Sequence, residues 1–197
     1  MNHRIRNLFT LARSVVALSA RSEPTSKEFA SIVGDRLDAL ARAHALTLSK
    51  PTDHPVQREQ ATTLHALIGT IVLPYQNTES QQRRIVVTGP DIPVSAALTT
   101  DFALLLHEVA TNAAKYGALS TPNGRVDILC IETDRSFSLT WIERGGPHID
   151  REPDSEGFGS QLARATVVGR LGGELRRDWN PDGLTIHLSV SRERLAG

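Results

Sequence analysis

The chain has 197 residues, and its 22 Lys+Arg balance 22 Asp+Glu to a formal net charge of zero, which removes the electrostatic case for nonspecific nucleic-acid binding. With 40% apolar and 22% charged residues it is not a disordered chain, and the single Cys130 excludes an intrachain disulfide or a multi-cysteine metal site. Aromatic residues are only 5%, so the core must come from Leu, Val, Ile and Ala.

Residues 3–20 read as an amphipathic helix: Ile5, Leu8, Leu11, Val15 and Val16 fall on one side, and His3, Arg6, Asn7, Thr10, Arg13 and Ser14 on the other. Arg13 interrupts what would otherwise imitate a signal peptide, and no apolar run reaches the ~18 residues needed to span a bilayer. Together with the lone cysteine, this predicts a cytoplasmic chain with no membrane span. Glu23-Pro24-Thr25 breaks the helix, and Thr25 or Ser26 can cap a second one, which carries Phe29, Ile32, Val33, Leu37, Leu40 and Leu48. The two helices form a hairpin whose apolar stripes need further cover, and a two-fold four-helix bundle would supply it. A homodimer is therefore expected. Pro51 to Pro55 reads as a linker.

Beyond the linker the pattern changes. Gln60–Leu73 reads as helix, and Arg84–Thr88 as a short strand ended by Gly89-Pro90. Thr100–Gly117 is a strong helix with Asp101 suiting its first turn and Gly117 its end. Val126–Glu132 and Phe137–Glu143 read as a hairpin, Gly145 to Gly159 as a loop and Gln161–Leu171 as helix. Glu174–Trp179 and Leu184–Val190 make a last hairpin around Asn180-Pro181-Asp182-Gly183. The expected fold class is α+β: an N-terminal two-helix hairpin over residues 1–50, then an α/β sandwich over residues 56–197.

The stretch from His107 to Gly117 carries the most chemistry. On a helix, Glu108, Asn112 and Lys115 fall within about 60° of one another, with Tyr116 beside them. A carboxylate or amide oxygen can hold Mg²⁺, which prefers hard oxygen ligands and brings phosphates with it; Lys115 can meet the phosphate charge. Downstream stand Glu143 at the end of an apolar strand, then Gly145 and Gly146, then Gly157-Phe158-Gly159 opening a helix. Glycines before a helix allow close backbone approach to a phosphate, and a strand-end carboxylate can accept from a base amino group. Each feature alone is equally what a solvated helix face, a turn or a surface acid would look like.

In this order the segments resemble the ATP-binding domain of the GHKL superfamily, of Bergerat type, and within it the histidine kinases of the HWE class. His107 stands in the asparagine-box segment, and Trp141 and Glu143 stand in the first glycine-rich segment. Residues 2–8, Asn-His-Arg-Ile-Arg-Asn-Leu, look like that class's phosphoacceptor segment, and Arg36 to His44 looks like its second bundle helix. The likeness runs from residue 2 to about residue 190.

The resemblance implies a two-component sensor kinase core. It would bind Mg²⁺ and ATP, phosphorylate His3, and pass the phosphoryl group to an aspartate on a response regulator receiver domain. Asn112 would chelate Mg²⁺ and Glu108 would help hold the metal shell. Lys115 would contact phosphates and Tyr116 would pack on the nucleotide. Glu143 would read the adenine amino group with support from Thr185. Gly145, Gly146, Gly157 and Gly159 would shape the lid and phosphate end. Two alternatives share parts of this pattern. A histidine phosphotransferase of the same architecture would have lost Asn112 and the glycines, which are present. A GHKL protein-serine kinase would lack the phosphoacceptor hairpin.

The chain departs from the wider pattern in three places. Glu143-Arg144-Gly145-Gly146-Pro147 replaces the usual Asp-x-Gly-x-Gly, so an extra methylene changes how a base would sit. The lid is short, with ten residues from His148 to Gly157 between Pro147 and Phe158. Arg4, not an acid, follows His3, so no neighbouring carboxylate stands ready to take the imidazole proton. The other histidines show no metal-ligand spacing, and His107 lies about 100° from Glu108, suiting packing or orientation.

Overall fold

The computed structural model describes residue 16 and residues 25–48, 60–76, 83–153 and 157–196. The first helix of the expected hairpin, with His3, therefore lies outside the described residues, apart from Val16, which is helical and exposed.

Helix α1 spans Ser26–Leu48. Thr25 is its cap: the Glu28 N–H donates to Thr25 Oγ1 at 3.4 Å, and the Thr25 N–H donates back to Glu28 Oε2 at 2.9 Å. This reciprocal pair satisfies two otherwise orphaned helix-start donors. The face that α1 buries differs from the expected stripe. Arg36, Ala39, Leu40 and Ala43 are buried, while Leu37 is exposed. Ala39 and Ala43 belong to the same apolar cluster as the central sheet, so α1 packs directly onto the body that follows. Two alanines one turn apart let helix axes approach closely, and that selects this face over the bulkier one.

Gln60–Leu73 is not one helix. Gln60–Thr63 forms strand β1, which pairs antiparallel with β3 (Pro93–Ser95), and helix α2 begins only at Leu64 and ends at Val72. Thr63 stops the strand by capping α2, its hydroxyl accepting from the Ala66 N–H. A β-branched cap residue with extended backbone both ends one element and starts the next. Leu64, Leu67, Ile68, Ile71 and Val72 are the buried face of α2.

Helix α3 runs from Ala96 to Lys115, so Asp101 lies in its second turn rather than its first. Residues 101–108 are buried without interruption. A helix buried all round must be covered on more than one side. Here the sheet lies beneath it, and α1, α2 and α4 (Phe158–Arg164) pack along it. The cost is that Asp101, His107 and Glu108 are buried as well and need partners.

The five-stranded sheet has the order β2-β4-β5-β7-β6. Its strands are β2 (Ile85–Thr88), β4 (Arg125–Glu132), β5 (Ser136–Arg144), β6 (Glu174–Asn180) and β7 (Gly183–Ser191). The two expected hairpins, β4-β5 and β6-β7, are antiparallel, whereas β2 joins β4 in parallel across the α3 crossover. β4 and β5 alternate strictly: Val126, Ile128 and Cys130, with Phe137, Leu139, Trp141 and Glu143, face inward. After α4 the backbone widens into a π turn over Ala165–Arg170. The chain closes with α5 (Arg192–Ala196). The fold is thus the expected α+β sandwich, with helices on one sheet face and α1 laid over them.

Candidate functional site

The last two turns of α3 and the far end of β5 meet at one corner of the molecule. The hinge of that corner is Glu143. Its Oε2 accepts from the Ala118 N–H at 2.8 Å, and its Oε1 accepts from the Trp141 indole Nε1–H at 3.2 Å. Glu143 is only 5% exposed, and burial raises its pKa above 4.5 while the two donated bonds oppose that rise. Gly117 lies so close that a Cβ there would strike the carboxylate. The backbone of Gly183, in β7, lies equally close to the Glu143 carbonyl. Two donors on a carboxylate with four lone-pair positions leave acceptor capacity for two more N–H groups.

The α3 terminus supplies the polar face. Asn112 and Lys115 are exposed, and Tyr116 is 75% exposed. The Tyr116 and Gly117 N–H groups both donate to the Asn112 carbonyl, at 2.8 and 3.1 Å, which ends the helix and turns the chain toward Ala118. The structure therefore brings Asn112, Lys115, Tyr116 and Glu143 around one turn, residues 116–118.

The remaining site residues fare differently. Gly145 has φ 72°, and a Cβ on Gly146 would approach the Ala118 N and Cα to 2.8 and 2.9 Å. These glycines allow the β5 exit to pass close over the 117–118 turn. Thr121 Oγ1 donates to the Gly145 carbonyl at 2.6 Å and fixes that approach. Gly157 is exposed and precedes α4, with no neighbour crowding it. Gly159 packs on Glu108, where a Cβ would stand 2.8 Å from Glu108 Cβ.

Thr185 does not support Glu143. It pairs with Ile142 across β5 and with Asp178 across β6. Directly opposed residues share a face, so Thr185 lies on the outer face and Glu143 on the inner one.

Glu108 does not stand open beside Asn112. Arg36 of α1 reaches it with two parallel bonds, Nε to Oε1 at 2.6 Å and Nη2 to Oε2 at 2.9 Å. Arg36 is 6% and Glu108 8% exposed, so this is a buried, bidentate ion pair. A cavity of about 320 Å³ lies alongside, between α1 and α3, lined by Asp35, Asp38, Arg42, His107, Thr111 and Lys115 among others. His107 is buried, with its Nδ1 unpartnered, and burial holds its pKa below 6.5.

For Mg²⁺, the donor set fits at Asn112, whose exposed amide can offer oxygen. It does not fit at Glu108 in this arrangement, because the guanidinium holds both carboxylate oxygens. Among the described residues there is no group of three His, Cys, Asp or Glu side chains able to hold a metal by themselves. A cation here would depend on ligands brought with it.

A family model described as HWE histidine kinase matches residues 1–91. Over those residues the chain is similar to the HWE histidine kinases. It is similar to "Blue-light-activated histidine kinase 1" of Erythrobacter litoralis, with 33% identity over 192 residues, covering 96% of this chain and 51% of that protein. The chain thus spans about half the length of that curated relative. A solved structure of the Erythrobacter litoralis EL346 blue-light activated histidine kinase superposes with TM-score 0.71 at 18% identity, covering 98% of this chain and 59% of that one. Histidine kinase ThkA, solved in complex with response regulator protein TrrA, gives TM-score 0.50 at 17% identity, covering 98% of this chain and 60% of that one. At such identities the solved structures show a shared fold.

Sequence reasoning missed four participants: Arg36, the Ala118 N–H, the Trp141 indole as a donor, and Gly117 as the floor beneath Glu143. Arg36 had a signal, since an arginine lay in a helix read for its apolar stripe. The others depend on register and turn geometry.

Proposed function

We propose that the chain is the kinase core of a two-component system: it binds ATP with Mg²⁺, phosphorylates His3, and hands the phosphoryl group to an aspartate of a response regulator receiver domain. Residues 1–50 would be the phosphoacceptor and dimerisation unit of a cytoplasmic homodimer, and residues 56–197 the nucleotide unit. The observation that carries the reading is the Ala118–Glu143 bond. It ties the β5 end to the α3 end, so that the Glu143 carboxylate lies at the turn that directly follows the exposed Asn112, Lys115 and Tyr116.

Each residue then has a task. Glu143, with acceptor capacity left, receives the adenine amino group. Tyr116 offers its exposed ring to the nucleotide. Lys115 meets phosphate charge, and Asn112 offers an amide oxygen to the cation. Bound Mg²⁺ would neutralise charge on the phosphates, and transfer of this kind is mainly positioning and charge neutralisation. Glu108 joins the metal shell only when Arg36 gives it up. Among the described residues no helix is long and apolar enough to cross a membrane.

The test is Asn112→Ala. The side chain is exposed, so the fold should survive, while Mg–ATP affinity measured with a fluorescent nucleotide falls by about tenfold or more, the value of one lost charge-assisted contact. Binding equal to the parent's would remove Asn112 from the site.

A further inference from the structure

The clasp on Glu108 has the geometry of a switch. Arg36 and Glu108 are 72 residues apart, on α1 and α3, and each is under 10% exposed. A buried ion pair of this sort contributes little net stability, because desolvating two charges offsets their attraction; its best-attested role is to fix a register or a state. The surroundings restrict how Glu108 can move. Gly159 of α4 lies against its Cβ, and the Arg36 guanidinium bonds both of its oxygens. Asn112, one turn further along α3, remains exposed. Arg36, Ala39, Leu40 and Ala43 are the buried residues of α1 around the clasp, and Leu40 packs on Leu104 with Leu162 beside it.

We propose that Arg36 is a positioning residue that withholds Glu108 from the metal site while α1 is docked, so that α1 docking and Mg–nucleotide binding compete for one carboxylate. This rests on the nucleotide reading above. A guanidinium and a divalent cation on the same carboxylate repel each other, and bidentate pairing occupies both oxygens on their shared side. A cation reaching for Glu108 therefore favours release of α1. By linkage, α1 docking weakens Mg–nucleotide binding by the same factor as Mg–nucleotide binding weakens docking. The helix that follows the phosphoacceptor segment would be freed by the cofactor that feeds it.

The experiment uses the whole chain. A fluorescent ATP analogue is held at fixed concentration and Mg²⁺ is titrated for wild type, Arg36→Lys and Arg36→Gln. The Mg²⁺ midpoint should fall at least about fivefold in Arg36→Gln, with Arg36→Lys between, while nucleotide binding in chelator stays the same in all three. A role confined to stability would not move the Mg²⁺ midpoint downward. In parallel, hydrogen exchange of wild type should show amides of residues 26–48 losing protection when Mg²⁺ and a non-hydrolysable ATP analogue are added together, but not with the analogue alone. An unchanged or raised midpoint in folded Arg36→Gln overturns the proposal. So does unchanged protection of residues 26–48 in wild type with nucleotide bound, and that measurement decides if the variant does not fold. Wild type that binds no Mg–nucleotide at all overturns the nucleotide reading itself and the switch with it, a result distinct from binding without coupling.

Discussion

Trp141→Phe tests the Glu143 corner most sharply. Trp141 is 1% exposed, opposed by Ile128 on β4 and Ile186 on β7, and donates to Glu143 Oε1 at 3.2 Å. Phenylalanine keeps the apolar body but removes the donor and part of the volume. A hydrogen bond to a charged buried acceptor is worth about 1.5–3 kcal/mol. The smaller ring leaves a cavity costing about 1 kcal/mol. The variant should therefore unfold about 2.5–4 kcal/mol more easily near neutral pH. The pH dependence separates the two parts. Burial raises the Glu143 pKa above 4.5, so this group's contribution to stability is present below 4.5 and lost as pH rises through the native value. The Trp141 bond holds that native pKa down, so removing it raises the pKa further and the variant loses more stability on the way up. Denaturant unfolding followed by circular dichroism should show the gap between variant and wild type widening from about pH 4.5 to about pH 8. A gap of equal size at both ends would mean that the indole only fills space, and the bonded-carboxylate account would be wrong.

Gly117→Ala should damage the same corner from the backbone side. Its Cβ would strike a carboxylate already fixed by two donors, so stability should drop by about 1–3 kcal/mol in denaturant unfolding, with nucleotide binding weakened as well. His107→Leu should flatten the acid limb of the stability curve. Burial holds the His107 pKa below 6.5, so wild-type stability from this group is present above 6.5 and lost as pH falls through the native value; the variant has no such loss, and parallel curves for the two proteins would refute the assignment.

The sheet was legible because its strands alternate or run apolar between turn signals, and both hairpins fall at the expected residues. The α3 helix was legible from its periodicity, though not its start, since Ala96 to Thr99 carries no charge pattern to mark the first turn. Gln60–Thr63 reads as helix in the sequence because a four-residue strand before a helix cap has too little periodicity of its own; its partner at Pro93–Ser95 is what makes it a strand. Of the α3 residues singled out by spacing, Asn112 and Lys115 are exposed at the helix end, as a polar face requires. Two things were not legible. The resemblance sets Thr185 beside Glu143, but pairing of Thr185 with Ile142 places the two on opposite faces. Glu108 was read as open because spacing describes one helix, and its partner Arg36 comes from another.

The most direct test is the chemistry of the label. The chain is incubated with Mg²⁺ and γ-labelled ATP beside a His3→Ala variant, and bound label is challenged with acid and base. The account predicts label on wild type that is lost in acid and kept in base, as for phosphohistidine, and none on His3→Ala, whose nucleotide affinity stays at the parent's value. Label that persists on His3→Ala would contradict the acceptor assignment and direct attention to His44. An unlabelled wild type that nonetheless binds Mg–ATP would contradict the kinase reading itself.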